Sequence, residues 1–356
     1  MTYKPRLDGL RCVAIISVLF GHFLWLLSGF NFGVYGVNLF FVLSGFLITS
    51  ILLSQQGKKF GVSYKKFISR RALRIFPLYY FAIILLILLQ VDNIKTDWPY
   101  LLSYMYNFRV GNLSPLKHSL AGHFVYGPYW SLSVEEQFYL LFPFIVLLLN
   151  NKRKWLLGLL LIIIIVAFLQ RFYNILDMKT HPYENLVTNM FTLASGAVGA
   201  VLSKMDLLSK KIFNSIIVEI IAVAMLLYVL ASKNEWLIYC CFPLLNLYLV
   251  LKGALFNFKI RIIDWLLTFK WSLFIGRISY GIYIYHLIVL YLFNKYFFEP
   301  LWNSIPFQNM GFWSKLKYNE NLIKFPIVTL LVIFIAFLSY RYFESPILAL
   351  KDKYFK

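Results

Sequence analysis

The sequence predicts an all-α fold, a polytopic integral membrane bundle of about ten transmembrane helices with both termini cytoplasmic. Three observations lead there. First, of the 356 residues 60% are apolar, 19% aromatic and only 14% charged, against about 25% charged in soluble proteins. A soluble chain of this composition could not cover its own surface with polar groups. Second, apolar runs recur along the chain at close to the ~20 helical residues that cross the ~30 Å hydrocarbon core. Third, 35 Lys+Arg stand against 15 Asp+Glu, and the excess falls between the apolar runs. A nucleic-acid-binding protein would instead gather it on one folded basic face.

The candidate spans are residues 11–29, 34–54, 75–90, 137–150, 155–170, 186–203, 212–231, 236–251, 271–293 and 323–343. The first follows Lys4 and Arg6 as a signal peptide would. No small-x-small cleavage site follows it, and another span begins within five residues, so it is expected to stay uncleaved. With the N-terminus inside, the inner segments collect 25 basic residues and the outer ones 10, the asymmetry that sets orientation in a cell inner membrane. The three cysteines, Cys12, Cys240 and Cys241, give no disulfide framework, no CxxC and no metal-ligand spacing. The whole chain, 1–356, is read as one transmembrane domain.

Two outer segments, 91–136 and 294–322, carry Trp98, Tyr104, Tyr106, Tyr126, Tyr129, Trp130, Trp302 and Trp313. These form either an interfacial aromatic belt or a surface that stacks on sugar rings.

Ionisable groups within spans are costly, which makes each a functional candidate. Arg11 and His22 are eleven residues apart. At 100° per residue they share a helix face, and at 1.5 Å rise they lie ~16.5 Å apart along the axis. This puts Arg11 at the inner headgroup level and His22 near the midplane. Arg11 is a permanently charged fork suited to phosphate, and a neutral imidazole can take a proton from an alcohol; the alternative for His22 is a core histidine bonded to a neighbouring helix. Asp8 lies three residues before Arg11, close enough to pair with it. A second cluster, Ser69 to Pro77, reads as an inner loop with Pro77 opening the next span. Its Arg71 and Arg74 either anchor the positive side or clamp a cytoplasmic phosphate. A third, Trp130 to Gln137, has Ser133-x-x-Glu136 as a capping box, while Glu135 and Glu136 together could bind or deprotonate a polyhydroxylated acceptor. In the fourth, Ser279, Tyr283 and His286 form a polar stripe on one helical face.

Several chemistries are absent: GxSxG, HExxH, a Walker loop and the Rossmann glycines do not occur. A transporter or flippase of a lipid-linked sugar would share the spans and the aromatics. It would have no use for arginines in register with an intramembrane histidine. A glycan polymerase or ligase is expected to place its arginines in large outer loops, and 91–136 holds only Arg109.

Taken in order, these clusters resemble the acyltransferase-3 family of integral membrane O-acyltransferases. Arg6-Leu7-Asp8-Gly9-Leu10-Arg11 with Arg11-x10-His22 resembles its arginine–histidine signature. Gly36 to Phe46, Arg71-x-x-Arg74, Trp130 to Tyr139, Ser279 to His286 and Tyr342 to Pro346 resemble its later motifs. The likeness covers residues 6 to 346, without the C-terminal SGNH domain that many relatives carry, and so implies the stand-alone form. It implies transfer of an acetyl or other short acyl group from cytoplasmic acetyl-CoA to a hydroxyl of an envelope carbohydrate. Such an acceptor is a lipopolysaccharide O-antigen, a capsule or a lipid-linked glycan precursor. The residues expected to act are His22 with Arg11 in catalysis, and Arg11, Arg71 and Arg74 on the donor. Trp130, Glu135, Glu136, Tyr283 and His286 are expected on the acceptor. Acyl-CoA is expected as donor substrate, with no resident cofactor and no metal. The other partners are membrane lipids and, as an open alternative, a second copy of the chain; nucleic acid is not one.

Overall fold

The computed structural model describes residues 3–24, 32–111, 125–177, 184–232, 234–305 and 320–354. Among these residues it is built of helices: α1 (Pro5–Phe23), α2 (Phe32–Leu53), α3 (Phe60–Leu88), α4 (Ile94–Leu102), α5 (Tyr106–Gly111), α6 (Tyr129–Leu148), α7 (Arg153–Asp177), α8 (Leu186–Lys204), α9 (Lys210–Phe213), α10 (Ile216–Ala231), α11 (Glu235–Leu255), α12 (Arg261–Thr268), α13 (Lys270–Arg277), α14 (Ser279–Phe293), α15 (Glu299–Ser304), α16 (Glu320–Ser339) and α17 (Ser345–Tyr354). Single π-turns, Asn294–Phe298 and Tyr340–Glu344, follow α14 and α16. Each of the ten expected segments is mainly helical where it is described, the seventh (212–231) being interrupted at residues 214–215 so that its long helix begins only at Ile216; residues 25–29 of the first and Trp313 lie outside the described residues. Seven helices are individually long and apolar enough to cross a membrane, and an eighth if the bent α13–α14 stretch is one span. The shorter α10 is apolar throughout. The first helix carries Arg6, Asp8 and Arg11 in its opening turns, so apolarity alone does not mark it.

Hydrophobicity sorts the helices into centre and periphery. The apolar stretch of α2 is 78% buried, whereas those of α7 and the α16 region are 22% buried. The peripheral helices turn residues such as Ile162, Ile165 and Leu330 outward, as lipid-facing surfaces do. The central helix crosses α8 closely enough that a methyl group on Gly45 or Gly196 would overlap the backbone of the facing helix. Without water there is little hydrophobic drive between helices, so small residues let dispersion and close approach hold them.

Segments that the charge pattern assigned to one side are neighbours in the bundle. Arg153 donates to the Lys204 carbonyl at 3.0 Å and to Gln56 Oε1 at 2.9 Å. Arg6 grips Asp264 of α12 with two bonds, 2.6 and 3.1 Å, and that guanidinium holds the Asp264 carboxyl below its usual pKa. Glu219 accepts the amides of Lys259 and Ile260 at 2.9 Å each and pairs with the fully buried Lys252 at 3.0 Å. Buried charges survive only when satisfied in this way.

Four expectations about elements change. Arg70–Arg74 belong to a helix, not a loop, because the amphipathic stretch from Phe60 continues the apolar span by four turns toward the polar side and buries Ser63 and Phe67. Pro77 consequently lies inside α3, tolerated because neighbouring helices can satisfy the backbone it frees. The fourth span starts at Tyr129, so Ser133 is no cap; its hydroxyl donates to the Tyr129 carbonyl one turn back. The ninth span bends by 71° between α13 and α14, since Lys270, Ser272 and Arg277 make its first turns too polar to continue through hydrocarbon.

Candidate functional site

A cavity of about 870 Å³ opens among α1, α2, α3, α6 and α14. Arg11, Arg71, Arg74, Glu135, Glu136 and Tyr283 all line it, joined by Ser44, Ser131, Tyr139, Ser279 and Tyr280. Six of the nine residues singled out from sequence therefore meet in one chamber, although their positions span 272 residues of chain. Donor and acceptor candidates had been expected on opposite sides of the membrane. The extension of α3 and the early start of α6 bring the arginines and the glutamates into the same space.

The charged groups differ in how far the protein satisfies them. Arg11 pairs with Asp8 three residues earlier, as the spacing predicted, and Tyr3 also donates to that carboxylate at 2.8 Å. Arg71 lies over the rings of Tyr139 at 5.0 Å and Phe67 at 5.6 Å, a cation–π seat that fixes it without neutralising it. Arg74 has no hydrogen-bond or ion-pair partner among the described residues. Glu135 accepts from Ser44 Oγ at 2.8 Å and from Tyr139 Oη at 2.9 Å, whereas Oε1 of Glu136, its neighbour, has no hydrogen-bond partner among the described residues. Buried polar groups are normally satisfied. Among the described residues Glu136 Oε1 is a buried atom left unpartnered, and the exposed Arg74 guanidinium beside it is free to reach a polar ligand in the same chamber.

A second cavity, about 940 Å³, adjoins the first. Its walls are Ser54, Gln55, Ser63, Lys66 and Arg70, and it shares Arg71 and Arg74 with the main chamber. The paired arginines thus stand between a basic basin and the chamber within the bundle.

The two histidines sit at the far side of Tyr283. Its ring lines the chamber and lies 5.6 Å from that of His286. His22, in the last turn of α1, has Nδ1 3.0 Å from Nε2 of His286, with the rings inclined by 30°. Nδ1 of His286 lies 2.7 Å from the Tyr283 carbonyl. Both ring nitrogens of His286 are therefore engaged inside the protein, which leaves this buried residue no polar atom for an acceptor. His22 was expected mid-helix, with its span running to residue 29; its helix begins six residues earlier and ends at Phe23. Tyrosine hydroxyls hold α14 in place: Tyr129 donates to Ile284 O, Tyr283 to Pro128 O and Tyr280 to Ile75 O, at 2.8–2.9 Å.

The aromatic surface expected to stack on sugars is mostly core. Tyr104, Tyr106, Tyr126, Tyr129 and Trp130 are buried, and Trp130, which does not line the chamber, meets the chamber-lining Phe41 edge-on at 6.3 Å. Trp98 alone of the described set is well exposed. The outer segment folds inward because its polar atoms close on one another: Tyr126 Oη and Arg109 Nε both donate to Asp97. Ser44 and Tyr139, each inside a family-like stretch (Gly36 to Phe46 and Trp130 to Tyr139), have no role assigned to them from sequence. A hydroxyl in an otherwise apolar span was the available signal.

Residues 4–341 match the family described as "Acyltransferase domain". The chain is 28% identical over 376 residues to "O-acetyltransferase OatA" of Staphylococcus aureus (strain NCTC 8325 / PS 47), covering 97% of this chain and 57% of that protein. It is likewise 28% identical over 382 residues to "Putative O-acetyltransferase SAS0844" of Staphylococcus aureus (strain MSSA476), with the same coverage. The chain thus spans little more than half the length of these curated relatives. No solved structure matches.

Proposed function

Since the chain belongs to the acyltransferase family that nearly its whole length matches, we propose that it is a multi-pass membrane O-acetyltransferase. Acyl-CoA is the donor and a hydroxyl of an envelope carbohydrate the acceptor. The observation that carries this reading is Arg74, without a hydrogen-bond or ion-pair partner among the described residues, between two cavities, one of which ends at Tyr283 beside a histidine pair. CoA combines several phosphates with a long neutral arm ending in a thioester. The basin with Lys66 and Arg70 suits the phosphates, Arg71 and Arg74 suit the ones nearest the gate, and the chamber suits the arm. Charge asymmetry assigns the basin's side to the cytoplasm, where acyl-CoA is made. His22 then takes the acceptor proton as its oxygen attacks the thioester, help typically worth ~10²–10⁴-fold in rate. Glu136, with its free oxygen, is the group available to hold a donor N–H or O–H within the chamber.

The test is direct: protein in lipid nanodiscs is given acetyl-CoA labelled in the acetyl group, with extracted envelope glycans as acceptors. Labelled thioester loss and a mass gain of one acetyl group on the glycan are expected. Absence of both with every glycan, from protein that binds no acetyl-CoA, rejects the reading.

A further inference from the structure

We infer that His286 is a positioning residue that fixes the tautomer of His22 and leaves His22 Nε2 as the proton-accepting atom. The inference rests on the acyl-transfer reading above, and its argument is one of hydrogen-bond direction. A backbone carbonyl can only accept, so His286 Nδ1, 2.7 Å from the Tyr283 oxygen, carries hydrogen. A neutral imidazole has one ring hydrogen, so His286 Nε2 is an acceptor. His22 Nδ1, 3.0 Å away, must then donate to it. With its hydrogen on Nδ1, His22 presents a bare lone pair at Nε2.

The opposite polarity requires a doubly protonated His286 that donates from Nε2 to His22. That places a cation on a side chain that is 1% exposed. The groups around it are Tyr283, the Phe23 ring at 6.2 Å and His22 itself. Neither histidine has a carboxylate bonded to it among the described residues, and an unpaired charge within a span is costly.

The dyad can be followed through the reaction with atoms in balance. The acceptor O–H gives its proton to His22 Nε2 while its oxygen forms a bond to the thioester carbon. The carbon–sulfur bond breaks, the electron pair leaves on sulfur, and the proton on His22 Nε2 passes to that sulfur to give the free thiol. During this cycle His22 is briefly a cation, and its Nδ1–H bond to the neutral His286 strengthens. His286 never gains a proton. It does the orienting that a buried carboxylate does for the histidine of a serine-hydrolase triad, without adding a charge to the membrane interior. Its own position is set by the three tyrosine bonds that pin α14 to its neighbours.

The experiment compares wild type with His286→Gln and His286→Leu in nanodiscs. Gln can place a carbonyl oxygen where Nε2 was and accept from His22; Leu cannot. Expected are a kcat loss of about a hundredfold or more for His286→Leu, recovery of most of it in His286→Gln, and KM values for donor and acceptor close to wild type in both. Independently of activity, ¹⁵N NMR of histidine-labelled protein, with the His22 signals assigned by their loss in His22→Gln, should show His22 as the Nδ1–H tautomer in wild type. This decides the matter even if His286→Leu fails to fold. An Nε2–H His22 in wild type overturns the inference, as does a raised acceptor KM at unchanged kcat, which would make His286 a substrate contact. If wild type transfers no acyl group, the acyl-transfer reading falls, while the tautomer result still decides the polarity of the dyad.

Discussion

Replacing Arg74 with Ala separates a ligand-binding arginine from a structural one, because no described residue hydrogen-bonds or ion-pairs with this guanidinium. Arg74 stands, solvent-exposed, at the wall shared by the two cavities. Its removal therefore breaks no hydrogen bond or ion pair among the described residues; it relieves repulsion from Arg11 and Arg71 and gives up longer-range attraction to Asp8, Glu135 and Glu344. Thermal stability should stay close to wild type. Donor binding should suffer: hydrogen bonds to a charged group contribute about 1.5–3 kcal/mol, which at 1.4 kcal/mol per decade weakens affinity about 10- to 150-fold. Arg74→Lys should recover part of this, since it restores charge without the planar fork. Arg11→Ala should behave differently, because Asp8 is 5% exposed and would lose its guanidinium. Breaking such a pair destabilises the fold by up to about 3 kcal/mol. The assay is calorimetric titration of acetyl-CoA into each variant in nanodiscs, with thermal unfolding run in parallel and titrations repeated at higher salt. The reasoning is refuted if Arg74→Ala binds acetyl-CoA as wild type does while losing thermal stability, the signature of an anchoring residue.

Other outcomes follow from the same geometry. His22→Ala should lower acetyl transfer by about 10²–10⁴-fold and leave acetyl-CoA affinity near wild type; equal loss of both would place His22 in binding. A cysteine at Lys66 should react with a membrane-impermeant thiol reagent only in inside-out vesicles, and labelling from the outside would reverse the orientation inferred from the 25:10 charge asymmetry. Gly45→Val or Gly196→Val should collapse the α2–α8 crossing, seen as loss of the folded fraction in detergent, because the added side chain meets backbone; wild-type yield and melting would contradict that contact. The Arg6–Asp264 pair lowers the pKa of Asp264, so its contribution is complete above the usual carboxylate pKa of about 4 and is lost as pH falls below it. Asp264→Asn should be less stable than wild type at pH 7, by no more than about 1 kcal/mol for a partly exposed pair, and the difference should shrink as the pH falls and vanish once it passes below the lowered Asp264 pKa.

The helices were the most legible part because each crosses an apolar medium, and hydrocarbon leaves a record in composition that needs no partner to be read. Their ends were not legible in the same way. The first four turns of α3 are amphipathic, so a search for apolar runs stops at Ile75 although the helix begins at Phe60. The error matters, because a loop would leave Arg71 and Arg74 at the polar boundary whereas the helix carries them into a chamber wall. The capping-box reading of Ser133 and Glu136 failed for a related reason. A local pattern predicts a helix start only if the chain has none earlier, and Tyr129 supplies one.

The sequence by itself determined the solvent this protein lives in, the helical class and the residue types able to bind phosphate and take a proton. Those properties are sums or periods along one chain, and transfer energies act residue by residue. Only the tertiary structure decided that the arginines and glutamates share a chamber, that Arg74 has no hydrogen-bond or ion-pair partner among the described residues while Arg11 has one, and that most of the outer aromatics are core. It alone placed His22 against His286, 264 positions away. Periodicity gives each helix a face but not the neighbour that face meets. That choice is made by packing, by where small residues such as Gly45 and Gly196 let backbones close, and by the need of every buried polar atom for a partner.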